Sequence, residues 1–250
     1  MRSFSAIYKR NIASSFLRTH TRCGSSHVGV HALPQDLTFI PDFFSVSEQR
    51  ILLTTALQKL NAAERRHFRQ RRKQFCAKLK PTAASDSQET LHGIFLPDEY
   101  YDFQEGHYDG VIRRFREMHV STWPSDFAGL SSIIERLQTL YPSHDTQTHI
   151  LHLASDGEIL PHIDNVGASG SWILGVSLGA TRLLKLESLN DPNMQSELPL
   201  TSGSVYIQKD TLRYEYKHSI LQNVFSSGGD GDLAQRLSVI VRDRLPSPTA

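Results

Sequence analysis

Long apolar runs are missing from this chain. Nowhere among its 250 residues do about 18 apolar ones follow one another, so no membrane-spanning helix is expected. Cysteine is scarce: Cys23 and Cys76 alone cannot build a disulfide framework or a thiolate zinc site. Net charge is also small, with 27 Lys and Arg against 26 Asp and Glu, which argues against a bulk nucleic-acid binder. No internal repeat is evident. What is present is ordinary for a globular protein, 39% hydrophobic and 21% charged, and wholesale disorder is excluded on that ground. The length suits one large domain or two small ones.

The charge sum hides unlike parts. Residues 1–35 hold no acidic residue but carry Arg2, Lys9, Arg10, Arg18 and Arg22, with six serines interspersed. Arg-rich, Ser-rich and acid-poor is the composition of a mitochondrial transit peptide, and the apolar core of a secretory signal is absent. Without this segment, 22 basic residues face 26 acidic ones, a net of −4. Glu64 to Lys80 forms a basic run (Arg65, Arg66, Arg69, Arg71, Arg72, Lys73, Lys78, Lys80) on a body that is otherwise acidic. A solvated helix face is the favoured reading of that run, ahead of a nucleic-acid contact.

Local patterns predict a helical first part and a β-rich second part. Phe39 to Phe44 reads as a short strand. Ser45-Val-Ser-Glu48 fits a capping box opening a helix, with Ile51, Leu52, Ala56, Leu57 and Leu60 on its buried face and a continuation into the basic run. Pro81 to Thr90 reads as a loop. Ile112 to Phe115 and Gly129 to Leu140 suggest two more helices. From Thr148 the chain reads as short strands at 148–153, 172–178, 182–186, 204–208, 212–218 and 236–242, separated by turn signals. The expectation is a mainly β fold with N-terminal helices. The domain would run over 36–246, with a helical part 36–147, a jelly-roll core 148–246 and a tail 247–250.

Two H-x-D pairs occur, His107-Tyr-Asp109 and His162-Ile-Asp164. On a strand, residues i and i+2 share a face roughly 6–7 Å apart, so both side chains can meet one metal ion. Two imidazoles and one carboxylate form the facial triad of non-haem Fe(II) oxygenases. Context favours the second pair. It is followed by His218, and 18 residues later by Arg236-Leu-Ser-Val-Ile-Val-Arg242. Alternation puts Arg236, Ser238, Ile240 and Arg242 on one face. Two inward guanidinium groups call for a dianionic partner such as a dicarboxylate. The first pair lies outside a strand and reads as structural.

Pro161-His-Ile-Asp164, Arg213-Tyr-Glu-Tyr-Lys-His218-Ser-Ile and Arg236-x5-Arg242 together resemble the AlkB-like family of Fe(II)/2-oxoglutarate-dependent dioxygenases. Phe39 to Ser45, His107-Tyr-Asp-Gly-Val-Ile, Arg116-Glu and Gly203-Ser-Val-Tyr206-Ile resemble one subgroup of it, the mitochondrial seventh AlkB homologues. The resemblance implies a double-stranded β-helix, Fe(II) held by His162, Asp164 and His218, and 2-oxoglutarate and O2 as cosubstrates. It implies that Arg236 pairs with the distal carboxylate of 2-oxoglutarate, that Arg242 holds the keto-acid end, and that Tyr206 turns its hydroxyl to the cosubstrate. Where base demethylases of the family often carry Asn and Thr inside the arginine strand, this chain has Ser238 and Ile240. Where they often carry Asn-x-Tyr before the H-x-D, it has Leu151 and Leu153. A protein substrate in the mitochondrial matrix is therefore favoured over RNA or DNA base demethylation. A non-catalytic binding module and a zinc hydrolase stand as further alternatives, and the oligomeric state is open.

Overall fold

The computed structural model describes residues 34–78, 91–222 and 234–245. Among them are ten strands and four α-helices. The strands are β1 (Leu37–Ile40), β2 (Gln104–Gly106), β3 (Ile112–Val120), β4 (Thr146–His162), β5 (Trp172–Gly179), β6 (Arg182–Ser188), β7 (Gln195–Leu200), β8 (Val205–Lys209), β9 (Tyr216–Gln222) and β10 (Arg236–Asp243). The helices are α1 (Val46–Ala63), α2 (Arg66–Lys78), α3 (Leu130–Gln138) and α4 (Asp210–Glu215). No helix among the described residues is long and apolar enough to cross a membrane.

Every strand pair is antiparallel, in the order β1-β8-β5-β10-β4-β9-β6-β7, with β3 and β2 added beyond β4. The 17-residue β4 makes the sheet curl. Its first half pairs with β10, its end, Ile159 to His162, pairs with β9, and β3 runs along it from Thr148 to Ile159 with a bulge between Arg113 and Phe115. The result is two facing layers that share one strand, the jelly-roll arrangement that the strand pattern predicts.

Alternation along β10 divides the core. Leu237, Val239 and Val241 face outward and pack under α1 and α3 with Leu52, Leu53, Leu57, Ile133 and Leu137. Ile240 faces inward with Leu151, Leu153, Ile173, Tyr206 and Ile220. The capping box of α1 is present: Ser45 N–H donates to Glu48 Oε2 at 2.9 Å and Ser45 Oγ accepts from the Glu48 N–H.

Four sequence expectations are corrected. Ile112 to Phe115 is not a helix but the start of β3, pinned by β2 and β4 on either side. The first helix does not run on into the basic segment. The chain breaks at Glu64, whose backbone is extended and whose carboxylate is taken up by Arg72, Arg116 and the Asp102 N–H. Arg72 therefore points inward, Phe68 and Phe75 are half-buried, and the rest of α2 is exposed. Residues 212–215 form the turn of α4, and β9 begins only at Tyr216. An unpredicted edge strand, β7, carries Pro199 and no β-branched residue, composition that hides a strand from propensity. The segments 1–33, 79–90, 223–233 and 246–250 lie outside the described residues, and with them the expected transit peptide, the Pro81 loop and the tail.

On the outer face of β4 a buried polar network ties the helices to the sheet. Arg116 Nε donates to His152 Nδ1 at 2.9 Å, so that nitrogen carries no proton. His152 Nε2–H then donates to Gln235 Oε1 at 2.9 Å, which frees the Gln235 amide to donate to Leu96 O and Asp98 Oδ1. Burial, and then the Arg116 charge, push the His152 pKa well below its ordinary 6.5. The unfolded chain thus takes up a proton near pH 6.5 that the native protein refuses. This group's contribution to stability is fully present above that pH and falls by about 1.4 kcal/mol per pH unit below it. His152→Asn keeps an acceptor for Arg116 and does not titrate. Urea denaturation of both proteins between pH 7 and pH 5 is expected to show this slope in their difference.

Candidate metal centre and its cavity

A cavity of about 430 Å³ opens between the two layers. β4 ends in His162, and β9 brings His218 directly opposite it in register. Their rings lie 4.3 Å apart between centroids. Asp164 follows two residues after His162, and its Oδ1 is 3.1 Å from His162 Nε2. Among the described residues, His162, Asp164 and His218 are the one group of three whose potential ligand atoms lie mutually within 4.8 Å. His107 and Asp109 pair with each other at 2.9 Å at the cavity rim and are not part of that group.

The electrostatics suit a cation. Burial alone would raise the Asp164 pKa, but the hydrogen bond from His162 and the charges of His218 and Arg242 hold it far below the usual carboxylate range. For His162, burial is outweighed by the hydrogen bond and charge of Asp164, and its pKa is raised. Burial pushes His218 down to about 4. His162 Nδ1–H donates to the Leu160 carbonyl at 2.9 Å, which fixes the ring and leaves Nε2 as the ligand atom. A carboxylate and two imidazole nitrogens fit Fe(II) in an open coordination set.

Arg213, quoted in the motif but given no role there, holds the loop that carries Asp164 in place. It is buried, and it donates to Asp164 O at 2.9 Å, to Asn165 O at 3.3 Å and to Ser169 Oγ at 3.0 Å. The signal for it was weak: one arginine inside a segment whose pattern mimics a strand.

The two arginines of β10 stand at different depths on the inner face. Arg242 lines the cavity and reaches Asp164 Oδ2 at 3.1 Å, with its Nε unpartnered. Arg236 is 1% exposed and lies beneath the cavity floor. Its Nε donates to Ser177 Oγ at 3.0 Å, and it also contacts Ser238 Oγ and the Tyr206 hydroxyl, while its Nη2 has no partner. No carboxylate pairs with it among the described residues. A buried guanidinium, Arg236, and a half-buried one, Arg242, each with an unmet donor, fit an anionic group such as 2-oxoglutarate.

Tyr206 lines the cavity above Arg236, and burial raises its pKa. Its place depends on Gly175, its register partner on β5: a Cβ there would meet ring atoms Cε1, Cζ and Oη of Tyr206. Gly175→Ala should force the ring aside and cost about 1–3 kcal/mol of stability. It should also weaken the affinity for 2-oxoglutarate, measured by calorimetric titration. Leu151 and Ile240, two of the positions that set this chain apart from the base demethylases, line the cavity beside Ile173.

Comparison with known proteins agrees with the geometry. Over 146 residues the chain is 34% identical to a Mus musculus protein described as alpha-ketoglutarate-dependent dioxygenase alkB homolog 7, mitochondrial. It is 32% identical over 147 residues to the Bos taurus protein of the same description. Each match covers 56% of this chain and 65% of the relative. The fold is similar to that of a solved structure titled "The structure of OsALKBH1", with a TM-score of 0.52 and 16% identity over 85% of this chain and 100% of that one. The sequence pattern of the 2OG-Fe(II) oxygenase superfamily matches residues 36–242, which takes in the cluster, both arginines and Tyr206, and the chain therefore belongs to the 2OG-Fe(II) oxygenase superfamily.

Proposed function

We propose that this protein is an Fe(II)/2-oxoglutarate-dependent dioxygenase that hydroxylates a protein side chain in the mitochondrial matrix, with the catalytic domain over 36–246 and the basic segment 1–35 as its address. The observation that carries the chemistry is the meeting, in and under one cavity, of the His162–Asp164–His218 cluster with two arginines whose donors are unmet.

In this reading His162, Asp164 and His218 hold Fe(II). Arg236 and Tyr206 take the distal carboxylate of 2-oxoglutarate, and Arg242 steadies its keto-acid end. When bound, the metal and cosubstrate supply the activation of O2. The overall conversion is R–H + O2 + 2-oxoglutarate → R–OH + succinate + CO2, with one oxygen atom of O2 in each of R–OH and succinate. The chain's own residues supply the rest. The Leu160 carbonyl orients His162, Arg213 anchors the Asp164 backbone, and Leu151, Ile173 and Ile240 give the cavity apolar walls that exclude water. The mitochondrial setting rests on the composition of residues 1–35 and on the descriptions of the mouse and bovine relatives.

A protein substrate is preferred to RNA or DNA because of where the basic charge sits. α2 carries the exposed Arg66, Arg69, Arg71, Lys73 and Lys78. It is tied through Arg72 and Glu64 to Arg116, and Arg116 lies on the face of β3 opposite that of cavity-lining Glu117. A phosphate backbone tracked along α2 would run on the far side of the sheet from the cavity. The test supplies purified protein with Fe(II), 2-oxoglutarate and air, together with mitochondrial protein extract or mitochondrial RNA. Succinate release should be stimulated by the protein extract and not by the RNA. Stimulation by RNA alone, falling steeply with salt and with charge reversal at Arg69 and Arg71, would support base demethylation.

A further inference from the structure

The cavity has two halves. Over β8, β5 and β10 lie Tyr206, Ile240 and Arg242, the half assigned above to 2-oxoglutarate. Over β4 and β3 lie residues with no part in that assignment. Register places His149 of β4 beside His119 of β3, and Glu117 beside Leu151. Glu117 Oε2 is 3.1 Å from His149 Nε2, and the His149 ring stacks on His119 at 4.6 Å and 5°. The turn between β2 and β3 adds a second pair of the same kind at the rim. There, Asp109 Oδ1 is 2.9 Å from His107 Nδ1 and accepts from the Val111 N–H at 2.9 Å. Between them, Tyr108 is 92% exposed and lines the same cavity.

We propose that Glu117 and Asp109 select the substrate, and that they select a cationic side chain, lysine or arginine, of the protein substrate. This rests on the protein-hydroxylase reading and names which side chain that reaction accepts.

Each carboxylate lies beside one imidazole, Asp109 also accepts from the Val111 N–H, and each keeps further acceptor positions open. Arg242 is the one Lys or Arg among the described residues lining the cavity, and Asp164 already holds it. An incoming phosphodiester or acidic side chain would therefore face two carboxylates with no further Lys or Arg of the cavity lining to meet it. An ammonium or guanidinium meets two charge-assisted acceptors. The exposed Tyr108 ring offers the same cation an aromatic face. Leu151, Ile159 and Ile240 line the cavity as well, and they give a long aliphatic stem apolar surface to lie on. The C–H bond presented to the metal centre then belongs to that stem.

The test uses the full chain with Fe(II), 2-oxoglutarate and air. The probes are peptides degenerate at the flanking positions, with a central Lys, Arg, Gln or Glu. Oxidation is read as added oxygen by mass spectrometry. Lys and Arg peptides should be oxidised at least about tenfold faster than Gln and Glu peptides. Glu117→Gln should narrow the Lys-to-Gln ratio of kcat/KM about tenfold, and mainly through KM. Asp109→Asn lies in an exposed turn and keeps an acceptor for the Val111 N–H, so it tests the same point if Glu117→Gln folds poorly. Oxidation without regard to the central charge, or a ratio unchanged in both variants, would overturn the selection and leave protein hydroxylation standing. Oxidation of methylated RNA oligonucleotides with every peptide untouched would overturn both.

Discussion

Arg236→Met should leave the ligand-free protein as stable as the wild type, or more stable, and should abolish the stabilisation that 2-oxoglutarate confers. Arg236 is a fully buried cation with neutral partners: two serine hydroxyls and a phenol. Burial pulls its pKa down to about 10, the direction expected of a guanidinium held by neutral partners alone. Other buried arginines are better supplied. Arg182 donates to three backbone carbonyls, and Arg213 to two carbonyls and a hydroxyl. Replacing a poorly compensated buried charge by an apolar side chain of similar size is typically neutral or stabilising, by up to about 4 kcal/mol. A carboxylate ligand would reverse that balance in the wild type alone. At a concentration of 100 Kd, 2-oxoglutarate should stabilise it by about 2.7 kcal/mol, on the order of 5–10 °C in Tm. Scanning calorimetry with and without ligand measures both effects. A variant several kcal/mol less stable than wild type, yet still stabilised by 2-oxoglutarate, would contradict the role given to Arg236.

The second large effect lies on the other face of the sheet and has the opposite sign. Glu64→Ala should destabilise the protein by about 3–5 kcal/mol, because it strands two buried arginines. Glu64 Oε1 accepts from Arg116 at 2.6 Å and from the Asp102 N–H at 3.0 Å, and its Oε2 is bound by Arg72. All three side chains are nearly inaccessible to water, at 7%, 4% and 8% exposure for Glu64, Arg116 and Arg72. The Asn61 side chain and the Tyr100 carbonyl help to satisfy the arginines, but neither carries a charge. The loss should lower Tm on the order of 10 °C. Glu64→Gln, which keeps an acceptor, should fall between. A Glu64→Ala variant within 1 kcal/mol of wild type would show that the network is not the clamp described here.

These two arginine settings mark what could and could not be read from the sequence. The inward face of β10 was legible because Arg236, Ser238, Ile240 and Arg242 alternate strictly with Leu237, Val239 and Val241, and both faces of that strand meet dense, well-defined cores. His162-x-Asp164 was legible from its spacing to His218 and the arginine strand, although β4 ends at His162 and Asp164 lies just beyond the strand rather than on its face. β3 was not. Its outward side mixes Arg116, in an aromatic and polar nest, with Met118 and Val120, and its inward side mixes Phe115 with Glu117 and His119 on a cavity, so both faces are of mixed polarity and the alternation is blurred. With Ile112 to Phe115 read as a helix and the rest of β3 given no element, it stayed hidden that Phe115, Glu117 and His119 share one face. Charge alone likewise placed Arg72 on the solvated stripe, because nothing local foretold that Glu64 and Arg116, 52 residues apart, would draw it inside.

Everything proposed for this cavity requires that it bind Fe(II) through His162, Asp164 and His218, with 2-oxoglutarate beside it. Anaerobic absorption spectroscopy tests it most directly. Adding 2-oxoglutarate to the Fe(II)-loaded protein should produce the visible metal-to-ligand charge-transfer band, at a stoichiometry of one per chain. His162→Ala should lose the band through loss of metal, and Arg236→Met should need far more 2-oxoglutarate to form it. A wild-type protein that binds Fe(II) and shows no band at saturating 2-oxoglutarate, or a band that survives His162→Ala unchanged, would contradict it.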